Sequence, residues 1–249
     1  MKLSITPVEG QNTVFRGLVT TEVRMSIRNL TRRASFCLLL LLIGGRPDQS
    51  PADESTVWKL DNLNRIGGHE VQVVGDPRIV TTPGGKAIQF DGRDDALFLD
   101  VHPLAGAKQF TVEVIFRPDP DGLAEQRFFH MQEDESEDRI LFETRLTSDR
   151  RWFLDTFIKS GQGNHAQLAE QFKHPIGRWY HAALVVDDEE MRHYVNGKKE
   201  MATRIKYQPQ RPGRTSLGVR LNKVYWFKGA IRVARFTRQA LRPTEFLMP

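Results

Sequence analysis

Between residues 110 and 117 the side chains alternate. Phe110, Val112, Val114 and Phe116 fall on one side, with Thr111, Glu113, Ile115 and Arg117 on the other. A period of two predicts a half-buried β-strand. Residues 179–186 are apolar at nearly every position, which predicts a strand covered on both faces. Asp187-Asp188-Glu189-Glu190 cannot be buried as a block, so the chain must turn in water there. Met191, His193 and Val195 then alternate with Arg192 and Tyr194 on a returning strand. Asn196-Gly197 follows, a dipeptide that tolerates the positive φ angles of a type I′ hairpin turn. Residues 177–202 therefore read as a meander in an antiparallel sheet.

The same patterning predicts strands at 57–60, 71–74, 78–81, 87–90, 96–99, 127–131, 139–146 and 151–158, and later at 167–172, 215–221 and 226–236. Residues 91–95, Asp-Gly-Arg-Asp-Asp, read as a hairpin loop and 160–165 as a glycine-containing loop. Gly229 is expected to mark a bulge. Residues 241–247 read as one helical turn, with Pro243 suited to its first position. No segment sustains a 3.6-residue period, and strands and turns recur every 8 to 12 residues or so. The expectation is a single all-β sandwich over residues 53–249.

The formal charge of +5 suggests a nucleic-acid partner only until it is located. Residues 1–52 hold seven Lys/Arg and three Asp/Glu, a net of +4. The other 197 residues carry 29 basic and 28 acidic groups and are nearly balanced, so no polyanion funnel and no nucleic-acid partner is expected. The leader has its own logic. Arg28, Arg32 and Arg33 precede an apolar run at 34–43, followed by Gly44-Gly45 and a polar, proline-containing stretch. That order describes a secretory signal peptide over 25–52, and its core is too short for a permanent membrane span, which needs roughly 20 residues. Met25 is the expected start, with residues 1–24 an over-extended frame. Cleavage falls after the small residues Ser50 and Ala52, or nearer Gly45. The expected location is secreted or periplasmic. The single cysteine, Cys37, lies within the leader, so the exported domain would have neither disulfide nor thiol chemistry.

Several charged residues sit on predicted strands among apolar neighbours: Glu113 with Arg117, Glu143 with Arg145, Asp155 with Arg151, and His181. If their faces coincide, they form a polar sheet surface able to hydrogen-bond hydroxyl groups; the plainer reading is a set of cross-strand ion pairs. Trp152 and Trp226 each follow a turn and are placed at the rim, where rings could stack on sugars, whereas Trp58 and Trp179 read as core. Glu133, Glu135 and Asp138 lie in an acidic run that suits a solvated turn better than an acid/base pair.

Four blocks carry a family likeness: residues 85–99 (GKAIQFDGRDDALFL), 110–118 (FTVEVIFRP), 177–197 (from GRWYHAALVV to YVNG) and 216–246 (from SLGVRLN through FKGAIRVARF to ALRPTEF). In this order the sequence resembles the laminin G-like domains of the concanavalin A-like lectin/glucanase superfamily. The resemblance implies a jelly-roll β-sandwich of two curved antiparallel sheets whose concave sheet and rim loops bind sugars or protein partners. His181 belongs to the family's W-x-H pattern. The last block commonly reads G-x-I-D in this family, its Asp helping to hold a structural calcium. Here that position is Arg232, so no calcium is expected, and Asp91, Asp94 and Asp95 remain as weak metal candidates. The sequence thus predicts an exported, non-catalytic module that binds carbohydrate or a cell-surface protein through Glu113, Glu143, Arg145, Trp152, His181 and Trp226. The rivals are a glycan-active hydrolase or lyase using Glu113 and Glu143 on neighbouring strands, and a structural adhesion module without a small ligand.

Overall fold

The computed structural model describes residues 55–248. The proposed leader, the alternative start at Met25 and the cleavage points lie outside them. Two large antiparallel sheets form a jelly-roll sandwich, as the alternating strands require. Sheet 1 runs β16 (Lys198–Arg204), β15 (Glu190–Val195), β14 (Tyr180–Val186), β8 (Phe110–Pro118), β18 (Lys228–Thr237), β6 (Gly85–Asp91) and β5 (Arg78–Thr82), with β1 (Ser55–Lys59) also paired to β18. Sheet 2 runs β12 (Gly163–Leu168), β11 (Arg151–Ser160), β10 (Arg139–Leu146), β9 (Glu125–Glu133), β17 (Gly213–Leu217), β7 (Ala96–Leu99) and β4 (Gln72–Val74), with β13 (His174–Pro175) paired to β11. A small ribbon of β2 (Arg65–Ile66) and β3 (His69–Glu70) stands apart. None of the described helices is long and apolar enough to cross a membrane.

The inward positions build one core. Phe110, Val112, Val114 and Phe116 of β8 meet Phe128, Phe129, Phe142, Trp152 and Leu154 from sheet 2. Phe116 and Phe128 stack with ring centroids 4.2 Å apart, and Phe142 meets Phe128 edge-on at 5.8 Å. The central meander forms as its pattern requires, with Asn196 and Gly197 at φ 48° and 75°.

Several local expectations need correction. Residues 91–95 are not a hairpin tip: β6 lies in sheet 1 and β7 in sheet 2, so this loop crosses between the layers. β8 is covered on both faces rather than half-buried, because the chain end folds over its outer side. The loop expected at 160–165 contains the start of β12, whose pairing with β11 is fixed by long-range geometry. The bulge in β18 falls at Arg232, between Ile231 and Val233, not at Gly229. A polar third strand, β16, extends the meander. The turn at Pro243–Glu245 is a 3₁₀ turn with Pro243 at its start.

Candidate functional site

A bulge in β9 shapes the outer face of sheet 2. Phe142 pairs with Phe129 and Glu143 with Arg127, leaving Phe128 without a partner on β10. The extra residue lets both Phe128 and Phe129 point into the core, while Arg127 and His130 both face outward. Across this face Glu143 lies opposite Arg127 on one side and Asp155 on the other.

These residues form one ion-paired network. Arg127 Nη2 is ion-paired with Glu143 Oε2 (2.9 Å), and Nη1 donates to Glu125 Oε2 (3.0 Å). Arg145 donates to Asp155 Oδ2 from Nε (2.9 Å) and Nη2 (2.7 Å), to Glu143 Oε2 (3.2 Å), and to Glu125. The Glu143 and Asp155 side chains are 4% and 3% exposed, whereas Glu125 is 42% exposed and opens the network to solvent. Burial, reinforced by Asp155 and opposed by Arg127 and Arg145, pushes the Glu143 carboxyl up to about 7. Burial also raises Asp155, against its hydrogen bonds from Arg145. Three carboxyl groups facing two guanidinium groups therefore hold a proton close to neutrality. Asp155 Oδ1 and Arg127 Nε are buried with no hydrogen-bond partner among the described residues.

Residues 218–227 lie across the neighbouring part of this face. The Arg127 amide donates to the Tyr225 carbonyl (2.9 Å), the Gly218 amide to the Phe128 carbonyl (3.1 Å), and the Leu221 amide to His130 Nδ1 (2.9 Å). Lys223 and Tyr225 adopt left-handed backbone angles (φ 60° and 62°), an uncommon conformation for side chains of this size. The Tyr225 ring is thereby laid over Arg127, with the guanidinium carbon 3.7 Å from the ring centroid. Tyr225 remains 40% exposed, and Val224 and Leu168 are also exposed apolar groups in the segments bordering the network. The arrangement offers hydrogen-bonding groups beside an aromatic face, the two elements a polyhydroxylated ligand needs.

The sequence nominations divide between the sheets. Glu143 and Arg145 belong to the network on sheet 2. Glu113 and His181 lie on the outer face of sheet 1, Glu113 entirely buried and His181 nearly so. Glu113 accepts hydrogen bonds from His181 Nε2 (2.9 Å), the Leu247 amide (2.7 Å) and Arg235 Nε. Burial resists its ionisation, but these donors prevail and hold the carboxyl below its ordinary value. The pair fastens the chain end, with Phe246 packed on His181 and Tyr194. Because Glu113 and Glu143 occupy different sheets, they cannot flank one scissile bond, and the acid/base pairing of the hydrolase reading fails.

Trp152, placed at the rim from sequence, is fully buried against Phe116 and Tyr180. Trp179, read as core, is half-buried, with Arg117 and Arg232 over its ring at 5.5 and 5.2 Å. Trp226 is half-buried in the 218–227 segment. Tyr225, which follows Asn222 and Lys223 in the same rim turn as Trp226, is the exposed ring of this segment that lies over Arg127. Glu133 and Asp138 are anchors, Glu133 binding Arg211 and Asp138 the Gly161 amide.

Asp91, Asp94 and Asp95 converge as expected of metal candidates. Asp91 Oδ1, however, accepts the amides of Arg93, Asp94 and Asp95, and Asp95 binds the amides of Asp76 and Asp91. Arg78, Arg93 and Lys228 line the same cleft. A set of oxygens committed to the loop's own amides and ringed by cations is a poor fit to calcium, which takes six to eight oxygens. The Arg232 guanidinium lies over the Trp179 ring.

Two stacked antiparallel sheets, one with a polar and partly aromatic outer face, define a lectin-like β-sandwich. The chain belongs to the concanavalin A-like lectin/glucanases superfamily, whose laminin G-like family matches residues 91–246. No curated protein matches the chain by sequence. Among solved structures it is similar to domain 4 of AbnA, a GH43 extracellular arabinanase from Geobacillus stearothermophilus in complex with arabinotriose (19% identity, TM-score 0.59, 77% of this chain and 96% of that one). It is also similar to the binding domain of Paraclostridial Mosquitocidal Protein 1 (14% identity, TM-score 0.59, 79% of this chain) and to that of botulinum neurotoxin DC in complex with SialylT (14%, 0.59, 78%). The chain spans about half the length of these two toxin structures, 51% and 50%. At these identities the likeness establishes the fold.

Proposed function

We propose that this protein is an exported, non-catalytic module that binds carbohydrate on the outer face of sheet 2. The observation that carries this reading is the exposed Tyr225 ring, held over Arg127 beside Glu125, Glu143, Arg145 and Asp155. Sugar C–H faces pack on such a ring while their hydroxyl groups exchange hydrogen bonds with carboxylates and guanidinium groups. The fold's occurrence in a domain complexed with arabinotriose and in one complexed with SialylT supports a glycan ligand. A neurotoxin binding domain of this fold is also found in complex with rat synaptotagmin II, so the preference for a glycan over a protein partner rests on the ring and its polar surround. The signal-like leader supports export, and N-terminal sequencing of protein recovered outside the cytoplasm tests it.

The binding test is a glycan array probed with the parent protein, Tyr225→Ala and Glu125→Gln. Retention of a glycan class by the parent, reduced tenfold or more by Tyr225→Ala, is the expected result. Unchanged binding by both variants would move the site elsewhere, and hydrolysis of a bound glycan would overturn the non-catalytic assignment.

A further inference from the structure

The same face carries a second cluster that the acid–arginine network does not use. His130 and Arg139 both point outward from adjacent strands, Leu141 being the residue paired with His130 and Arg139 two positions along the same face. Arg220 immediately precedes Leu221, whose amide donates to His130 Nδ1 at 2.9 Å. That bond fixes the imidazole tautomer. Nδ1 is the acceptor, so Nε2 carries the proton, and it is a fully buried donor with no partner among the described residues.

Arg139 is similarly under-used. Its guanidinium rests over the Phe157 ring at 4.8 Å. Nη1 is engaged by the carbonyl and carboxylate of Glu137, while Nε is buried with no partner among the described residues. Glu137 is largely solvent-exposed, a weak counter-ion for a guanidinium that is itself 14% exposed. Arg220 has no ion pair among the described residues. The two arginines are close enough that Arg220 disfavours the charged form of Arg139, second only to burial. Burial first, then the positive charges of Arg220, Arg139 and Arg127, keeps His130 neutral.

A guanidinium with an exposed counter-ion, a second without an ion pair among the described residues, and an unsatisfied buried N–H on one face are together costly unless something negative joins them. We propose that Arg139, Arg220 and the Nε2–H of His130 form a subsite for an anionic substituent, a carboxylate or sulfate, on the ligand of sheet 2. The inference rests on that face being the glycan site and adds that the preferred glycan is acidic. Guanidinium groups suit planar carboxylate and tetrahedral sulfate alike, so the shared chemistry is an oxyanion bound by charge-assisted hydrogen bonds.

The test titrates the whole protein with three soluble probes: oligogalacturonate, its fully methyl-esterified neutral form, and a sulfated oligosaccharide of similar length. Parent protein, Arg220→Ala, Arg139→Ala and Tyr225→Ala are compared, each first checked for an unchanged melting transition. Two results are expected. One or both acidic probes bind at least tenfold more tightly than the neutral one, and either arginine variant removes that preference while leaving residual neutral binding. Preference for oligogalacturonate identifies a carboxylate, and preference for the sulfated probe a sulfate. Equal binding of neutral and acidic probes, lost in Tyr225→Ala but not in Arg220→Ala, overturns the anion subsite and leaves the glycan site standing. No binding of any probe, together with an empty glycan array, overturns both. If Arg139→Ala fails to fold, Arg220→Ala alone decides, since among the described residues Arg220 makes no side-chain hydrogen bond or ion pair whose loss would destabilise the fold.

Discussion

Arg127 holds Tyr225 twice: its backbone amide donates to the Tyr225 carbonyl at 2.9 Å, and its guanidinium lies 3.7 Å from the centre of the Tyr225 ring. One contact fixes where the loop lies and the other fixes how the ring is presented. Because Tyr225 has φ 62°, backbone and side chain make opposing demands on this position. Tyr225→Gly separates them. Glycine adopts this conformation freely, so the loss of ring packing is offset by relief of about 1 kcal/mol of backbone strain. Stability by urea denaturation should stay within about 1 kcal/mol of the parent, while glycan retention falls tenfold or more. Retained binding would remove the ring from the site.

Glu113 anchors the chain end from the far sheet, with three donors converging on one buried carboxylate. Glu113→Gln should cost about 3 kcal/mol, because it leaves the Arg235 guanidinium without its buried counter-charge and weakens the acceptor of the His181 Nε2–H and the Leu247 amide. Residues 240–248 should then become open to limited proteolysis by an endoprotease, while glycan binding on sheet 2 stays unchanged. The depressed carboxyl pKa gives the pH sign: the contribution is present above the ordinary Glu value and is lost as pH falls through the lowered one. Loss of glycan binding without loss of the tail would place ligand recognition on sheet 1 instead.

Much of this architecture was legible because strand patterning is local. The alternation at 110–117, the apolar run at 179–186 and Asn196-Gly197 each specify an element within a few residues of chain. What local pattern could not reveal was which layer each strand joins. Residues 91–95 have hairpin composition but cross between sheets, and β16 is a polar edge strand recognisable only from its pairing with β15. Glu113 and Glu143 have similar strand contexts, yet the layers separate them. Trp152 follows a turn, as a rim residue would, but the inward face of β11 takes it into the core. The site itself depends on the unpaired Phe128, which brings Arg127 and His130 to one face, and no sequence signal marks that bulge.

The crossing loop at 91–95 should behave as a self-supported turn. Asp95 is 5% exposed and joins the amides of Asp76 and Asp91. Asp95→Asn replaces an acceptor-only carboxylate with an amide that can satisfy only part of this pattern, costing about 1–3 kcal/mol. Millimolar calcium should leave the melting temperature of the parent unchanged, as scanning calorimetry can check. A calcium-dependent rise abolished by Asp94→Asn would instead make these residues a metal site.

Glu143 supplies the fold's clearest titration near neutrality. Its carboxyl is pushed from 4.5 to about 7, so in that interval the folded chain keeps a proton that the unfolded chain has released. At this group folded-state proton uptake exceeds unfolded-state uptake, so the Glu143 contribution to stability falls as pH rises from about 4.5 to 7 and levels off above it. The buried neutral histidines His102, His130 and His193 act in the opposite sense in parent and variant alike. The full span is worth about 3 kcal/mol at most for a shift of this size. Glu143→Gln cannot titrate, so its unfolding free energy should lack this decline, and its stability relative to the parent should improve steadily up to pH 7. Glu113 does not confuse the comparison, because its lowered carboxyl titrates below this window. Denaturant unfolding at half-unit pH steps measures both curves, and parallel curves for parent and variant would show that Glu143 is ionised throughout, its charge fully met by Arg127 and Arg145.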